Sequence, residues 1–201
     1  MAEQVFATKG NLMAISKSLA LAKTGFELLD RKNNILIRET MGMVGEAGEI
    51  QSKIDRSYRQ AYEALQTANI TLGIVDDIAA SVPVDHSLQI DLRSVMGVEL
   101  PLLHVDEADA DNCYGYNSTG EALDEAYVRF NEVKRLTVRL AEIENSVYRL
   151  ATAIKKTQKR ANALKNIIIP RFESQIKTIT EALDEKEREE FSRMKVIKKT
   201  K

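Results

Sequence analysis

The sequence predicts an all-α-dominated fold: a long antiparallel two-helix, left-handed coiled coil with a short β-hairpin at its middle tip. Three observations predict it. Apolar residues recur at 3-4 spacing on both sides of the centre, and a short central stretch switches to period 2. Turn residues are scarce, with three prolines and nine glycines in 201 residues. Trp is absent, aromatics are 5% and charged residues 29%, a composition of long helices rather than of an ordinary globule.

The first helix is expected from Lys9, with Thr8 as its N-cap because the hydroxyl accepts an otherwise unpaired N–H of the first turn. Its seam runs Leu12, Ile15, Leu19, Ala22, Phe26, Leu29, Asn33, Leu36, Thr40, Met43, Ala47, Ile50, Ile54, Ser57, Ala61, Ala64, Ala68. Fourteen of these seventeen positions are apolar, the exceptions being Asn33, Thr40 and Ser57. About eight heptads of such spacing mark a coiled coil rather than the stripe of a globular helix. With no proline before Pro83, the helix is expected to reach about Ala79. Roughly 70 residues at about 1.5 Å each give a rod on the order of 100 Å. Gly42, Gly45 and Gly48 interrupt it, each costing about 1 kcal/mol relative to Ala, so this part is expected to be soft.

Residues 80–117 are expected to form the tip. Leu88, Ile90 and Leu92 alternate with Gln89, Asp91 and Arg93, and Val98, Leu100 and Leu102 follow Met96-Gly97, which reads as one β-hairpin. Pro101 belongs near a strand edge. An acidic loop follows from His104 to Tyr116.

Ser118-Thr119-Gly120-Glu121 fits a capping box opening the second helix, expected over 118–199. Its seam is Val133, Leu136, Leu140, Ile143, Val147, Leu150, Ile154, Thr157, Ala161, Leu164, Ile168. The spacing then slips to 4-4 through Phe172 and Ile176 before 3-4 resumes at Ile179 and Leu183. Such a stutter relaxes the supercoil. Pro170 falls inside it, where it lacks a donor and its ring meets the carbonyl of Asn166, so a bend or a local loosening is expected. The helices over 9–79 and 118–199, with the tip between, are read as one elongated unit.

Charge follows this axis although the net charge is -1. Residues 70–125 hold twelve acids against one base, Arg93. Lys155 to Arg171 hold Lys155, Lys156, Lys159, Arg160, Lys165 and Arg171 with no acid, and Arg193 to Lys201 are likewise free of acids. The basic window reads as a solvated face or as a docking surface for an acidic protein. Nucleic acid is disfavoured, because no stacking aromatics interleave with the bases.

Enzyme motifs are lacking. There is no P-loop, paired-glycine dinucleotide turn or nucleophile elbow. An EF-hand frame from Asp109 puts Tyr114 where Gly is needed and Gly120 where the bidentate Glu belongs, so Asp106 to Asp111 read as a solvated loop. His86, His104 and Cys113 are too scattered for a zinc site. No cofactor or metal is expected. A lone cysteine points to a reducing, cytosolic compartment, and no window approaches 18 uninterrupted apolar residues. The expectation is a soluble protein whose membrane role comes through partners.

Several segments together resemble a family. Thr8-Lys9-Gly10-Asn11-Leu12, Ser94-Val95-Met96-Gly97-Val98 with Pro101, Arg160-Ala161-Asn162-Ala163-Leu164 with Ile168-Ile169-Pro170, and Glu187-Arg188-Glu189-Glu190-Phe191-Ser192-Arg193-Met194-Lys195 occur in the family's order. The chain resembles the D subunits of V-type and archaeal-type rotary ATPases over essentially its whole length. Departures are small: Ala7 stands where Pro is frequent, Lys165 where an acid is, and Met194 where Leu is.

The resemblance implies a non-catalytic central-stalk rotor that couples ATP synthesis or hydrolysis to proton or sodium transport, cytoplasmic and peripheral to the membrane. Implied partners are the nucleotide-binding A and B subunits, the small central-stalk F subunit, and the membrane-ring-cap C (d) subunit. It places hexamer contacts at Lys9, Leu12, Lys156, Lys159, Arg160, Asn162, Pro170, Arg171, Arg193 and Lys195. Ring-cap contacts fall at Asp85, Met96, Gly97, Pro101 and Asp106. The rival class is a prefoldin-like coiled-coil chaperone or scaffold, which also places a hairpin between two helices; the rotor protein is expected to be a monomer alone.

Overall fold

A computed structural model describes residues 6–105, 114–115 and 119–199. The elements in chain order are α1 (Lys9–Leu72), α2 (Asp76–Ser81), β1 (Leu88–Val95), β2 (Val98–Val105), α3 (Glu121–Ala163), a π-helical turn (Leu164–Ile168) and α4 (Ile169–Lys199). They form a helical coiled coil carrying one β-hairpin. Asp106, Cys113 and Ser118 of the capping box lie outside the described residues.

All seventeen seam positions of α1 are buried or half-buried. So is every seam position of the second helical segment from Val133 to Leu183. Helical spacing thus identifies the packed stripe residue by residue, because positions three and four apart share a helix face. Of the polar seam residues, Thr40 donates its hydroxyl to the Leu36 carbonyl at 2.8 Å. Asn33 leaves Oδ1 buried without a hydrogen-bond partner.

The chain divides into two compact units, Met1–Ile35 with Ile154–Lys201 and Leu36–Ala153. In the first, the start of α1 runs antiparallel to α4. Lys9 pairs with Glu187 and Lys23 with Glu173, each at 2.8 Å, and the Lys165 ammonium lies 5.7 Å from the Phe26 ring centroid. Thr8 caps α1, its hydroxyl oxygen accepting the Asn11 N–H at 3.2 Å. Ala22, Ala161 and Ile179 are this unit's buried apolar residues.

The helical segment does not simply bend at Pro170. It widens: the Ile169 N–H reaches back five residues to the Leu164 carbonyl, and Leu164–Ile168 form a π turn. A π turn accommodates one residue more than an α turn. The 4-4 step in the seam is likewise one residue in excess of 3-4 spacing, so the wide turn keeps Phe172, Ile176 and Ile179 facing inward.

In the second unit, Ile50, Ile54 and Ile143 form a core with Met43, Ala47, Leu136, Leu140 and Val147. A second core joins Ala68, Val75 and Leu123, with Leu65, Ile78, Tyr114 and Ala122 packed on it. Aromatic contact adds to the pairing, with Tyr62 and Phe130 edge to face at 5.5 Å. α1 stops at Leu72, short of Ala79. Gly73 adopts φ +84°, and its N–H bonds the Asn69 carbonyl at 3.1 Å, a left-handed cap that only glycine adopts without steric cost. Residues 76–81 form the separate helix α2.

β1 and β2 pair antiparallel from Val95↔Val98 to Leu88↔Val105. Their two-residue turn has Met96 at φ 50° and Gly97 at φ 75°, both positive, as the twist of a tight hairpin demands.

Candidate functional site

The hairpin is clasped to the helices of its own unit by charged side chains. Leu100, 1% exposed, anchors it in apolar contact. In a two-residue hairpin the closing pair Val95↔Val98 is hydrogen-bonded and bonded pairs then alternate, so Glu99, Pro101 and Leu103 direct their backbone groups away from β1. α3 meets that edge. Arg149 Nη1 donates to the Glu99 carbonyl at 3.1 Å, and Glu142 Oε2 accepts the Leu103 N–H at 3.2 Å. Pro101 stands between them, at a position where a missing N–H costs no ladder bond.

Glu142 is buried, 7% exposed. A buried carboxylate is tolerated only with partners. Arg139, one turn earlier, donates Nη1 to Glu142 Oε1 at 2.7 Å and Nη2 to Glu46 of α1 at 2.9 Å. The hydrogen bond to Glu46 raises the Arg139 pKa further above its usual range, against the opposing effect of burial. Arg93 of β1 reaches Glu39 of α1 at 3.2 Å. A cleft of about 300 Å³ lies between hairpin and helices, lined by these charges together with Met43, Ile143 and Ser146. Arg139 with Glu46 and Glu142, and Arg93 with Glu39, are committed to one another, and the arrangement positions the hairpin.

The residues expected to face a ring cap lie in this unit. Asp85 pairs with Lys134 at 2.5 Å, and its backbone neighbour Ser87 donates N–H to the carboxylate at 2.8 Å. Those bonds, Lys134 foremost, hold the Asp85 carboxyl well below the usual carboxylate range. Met96 and Gly97 form the turn, Pro101 lies on the clasped edge, and Asp106 falls outside the described residues.

The residues expected to face a hexamer all lie in the unit of Met1–Ile35 with Ile154–Lys201. Lys9 is bound to Glu187; the hydrogen bond raises the lysine pKa and lowers that of the glutamate. Leu12 is half-buried. Lys156, Lys159, Arg160 and Asn162 are exposed on α3, and the three bases form no ion pair among the described residues. Pro170 and Arg171 lie just past the π turn, both exposed. Arg193 pairs with Glu189 at 3.5 Å, while Lys195 lies 4.9 Å from the Phe191 ring centroid. Phe191, Met194, Val196 and Ile197 are all more than half exposed.

The sequence that builds this coil and hairpin has clear relatives. The family model described as the D subunit of ATP synthase matches residues 11–199. The chain belongs to this family.

It is 43% identical over 193 residues to the D subunit of a V-type ATP synthase from Thermotoga neapolitana, covering 95% of each chain. Against the D subunit of an A-type ATP synthase from Pyrococcus furiosus it is 38% identical over 196 residues, 95% of this chain and 92% of the relative. The A-type counterpart from Methanopyrus kandleri is 37% identical over 200 residues, 98% of this chain and 86% of the relative. In this D subunit, the Arg160–Leu164 and Ile168–Pro170 segments frame the π turn, and the Ser94–Val98 segment is the hairpin turn.

Sequence reasoning missed Glu142 and the clasp. The one available signal was Arg139 three residues before an acid beside the seam residue Ile143, a spacing common on solvated helices. Among the described residues no helix is long and apolar enough to cross a membrane, and no group of three or more metal-ligating side chains gathers.

Proposed function

We propose that this D subunit is the non-catalytic central rotor of a V/A-type ATP synthase, turning inside a hexamer of A and B subunits and coupling ATP turnover to proton or sodium movement. The family match along 11–199 carries this reading. The terminal unit supports it physically. Antiparallel α1 and α4 are tied by Lys9–Glu187 and Lys23–Glu173, a pairing that transmits twist between helices. Lys156, Lys159 and Arg160 offer exposed positive charge on one segment, so the surface is asymmetric and facing sites meet different contacts as it turns. The unit that carries the hairpin is the part that the small F and ring-cap C (d) subunits hold. The protein works peripheral to the membrane.

A reversible lock tests rotation. A cysteine at Lys195 is oxidised to a cysteine placed in a facing loop of a catalytic subunit in the assembled ATPase. ATP hydrolysis stops on cross-linking and returns on reduction if the shaft rotates. Full hydrolysis in the cross-linked complex overturns the rotor reading. Replacing Lys156, Lys159 and Arg160 together by Ala lowers turnover of the complex; unaltered turnover and torque remove these three from the drive.

A further inference from the structure

The hairpin has two edges, and they are treated differently. β2's edge is covered by α3 through Arg149 and Glu142. β1's outer edge carries the backbone groups of Leu88, Ile90, Leu92 and Ser94, the positions that alternate with the ladder-bonded Gln89, Asp91, Arg93 and Val95. No described residue bonds those groups. The side chains at three of the same positions are apolar and exposed, Leu88 at 47%, Ile90 at 65% and Leu92 at 63%.

Soluble proteins blunt an open strand edge with charge, proline or a bulge. β1 has none at its outward positions. Its two charges, Asp91 and Arg93, lie on the opposite face, with Arg93 drawn to Glu39. The proline sits on β2, whose edge is already covered.

We propose that the outer edge of β1 is a strand-addition site that takes an extended segment of another subunit, apolar at alternate positions and basic between them. Main-chain bonds at Leu88, Ile90, Leu92 and Ser94 supply affinity, and the exposed Leu-Ile-Leu row supplies the side-chain register. Charge selects the occupant. Lys134 neutralises Asp85 and Glu39 neutralises Arg93, while Asp91, on the face opposite the Leu-Ile-Leu row, has no lysine or arginine partner among the described residues. A lysine or arginine between the apolar positions of an added strand falls on that face and complements it. A second copy of this chain brings the same acid and is disfavoured.

This inference rests on the chain working within a multi-subunit complex. Its test compares amide hydrogen exchange of the full chain alone and in the assembled ATPase, retrieved by a tag on this chain. Alone, the amides of Leu88, Ile90, Leu92 and Ser94 exchange fast and those of Gln89, Asp91 and Arg93 slowly. In the complex the four outward amides slow by roughly tenfold or more. Fast outward amides in an intact, ATP-hydrolysing complex overturn the site and leave the rotor reading untouched. Failure of the tag to retrieve any ATPase overturns both. Protection that appears in the chain alone, with a dimer by light scattering, replaces the partner strand by a second copy and overturns the proposal. Ile90→Pro removes one outward N–H without touching a ladder bond, as Pro101 does on β2. It reduces outward-edge protection in the complex while leaving the melting curve of the free chain unchanged. Should Ile90→Pro unfold the hairpin, Leu92→Lys keeps the backbone and repels a basic strand; full protection in that variant overturns the proposal.

Discussion

The Glu142 carboxylate accepts the backbone N–H of Leu103 at 3.2 Å, joining α3 to the hairpin while its other oxygen holds Arg139. One buried acid therefore satisfies a strand amide and a guanidinium at once. Glu142→Ala leaves both without that partner. Removing one side of a buried hydrogen bond costs about 1–3 kcal/mol, more where a charge is left unpaired. For a chain of this size about 2–4 °C of melting temperature accompanies each kcal/mol. A fall of roughly 2–12 °C in a thermal melt followed by circular dichroism is expected. Glu142→Gln, which can still accept the Leu103 N–H, falls less. Equal losses for the two variants mean that the charge, not the strand bond, holds the hairpin.

Acid should loosen the hairpin at a second place. Bonds from Lys134 and Ser87 depress the folded Asp85 pKa below its ordinary 3.8. The pair's contribution is thus complete above that ordinary value and is lost as pH falls from it through the lower folded pKa. Asp85→Asn flattens this part of the pH dependence and leaves neutral-pH unfolding little changed, since the pair is exposed and screened. A carboxyl titration by NMR checks it: an Asp85 resonance that titrates at or above the ordinary range contradicts the pairing.

Gly42, Gly45 and Gly48 sit in an unbroken helix with nothing within 4 Å of where a Cβ would lie. Substitution by Ala is therefore free of collision and recovers helix propensity of about 1 kcal/mol at each site. The triple variant should melt roughly 6–12 °C higher. If the glycines provide torsional compliance, the same variant stiffens the rotor in single-molecule twist measurements. A large gain in stability with unaltered stiffness restricts these glycines to a thermodynamic effect.

Much of the fold was legible because helical burial is periodic. Every seam position from Leu12 to Ala68 is buried or half-buried, and Leu88, Ile90 and Leu92 announced a strand by alternation. The end of α1 was harder. Gly73 is chemically the same residue as Gly42, Gly45 and Gly48, and only the fold decides that one caps a helix while three sit inside it. The clasp was illegible for a related reason. Glu142 and Arg139 look like any surface pair until a strand from about 40 residues earlier comes to rest beside them. Of the candidate contact surface, the charge of Lys156, Lys159 and Arg160 was plain from sequence, whereas pairing of Lys9 with Glu187 needed the two chain ends brought together.

The widened turn at Leu164–Ile168 yields the last prediction. A proline in an α-helix interior costs about 3 kcal/mol, through a lost donor and a clash with the carbonyl four residues earlier. Here the Ile169 N–H already bonds five residues back, and the extra residue of the π turn is what the seam requires to return Phe172 and Ile176 inward. The wide turn is thus held by packing on both sides as well as by the proline. Pro170→Ala should then change stability in urea by less than about 1 kcal/mol, far below the cost of an interior proline. Amide exchange would still show the Ile169 N–H protected by the Leu164 carbonyl. A gain near ~3 kcal/mol, with the segment reverting to regular α-helix, would mean that Pro170 alone imposes the π turn and that the seam's extra residue follows from it.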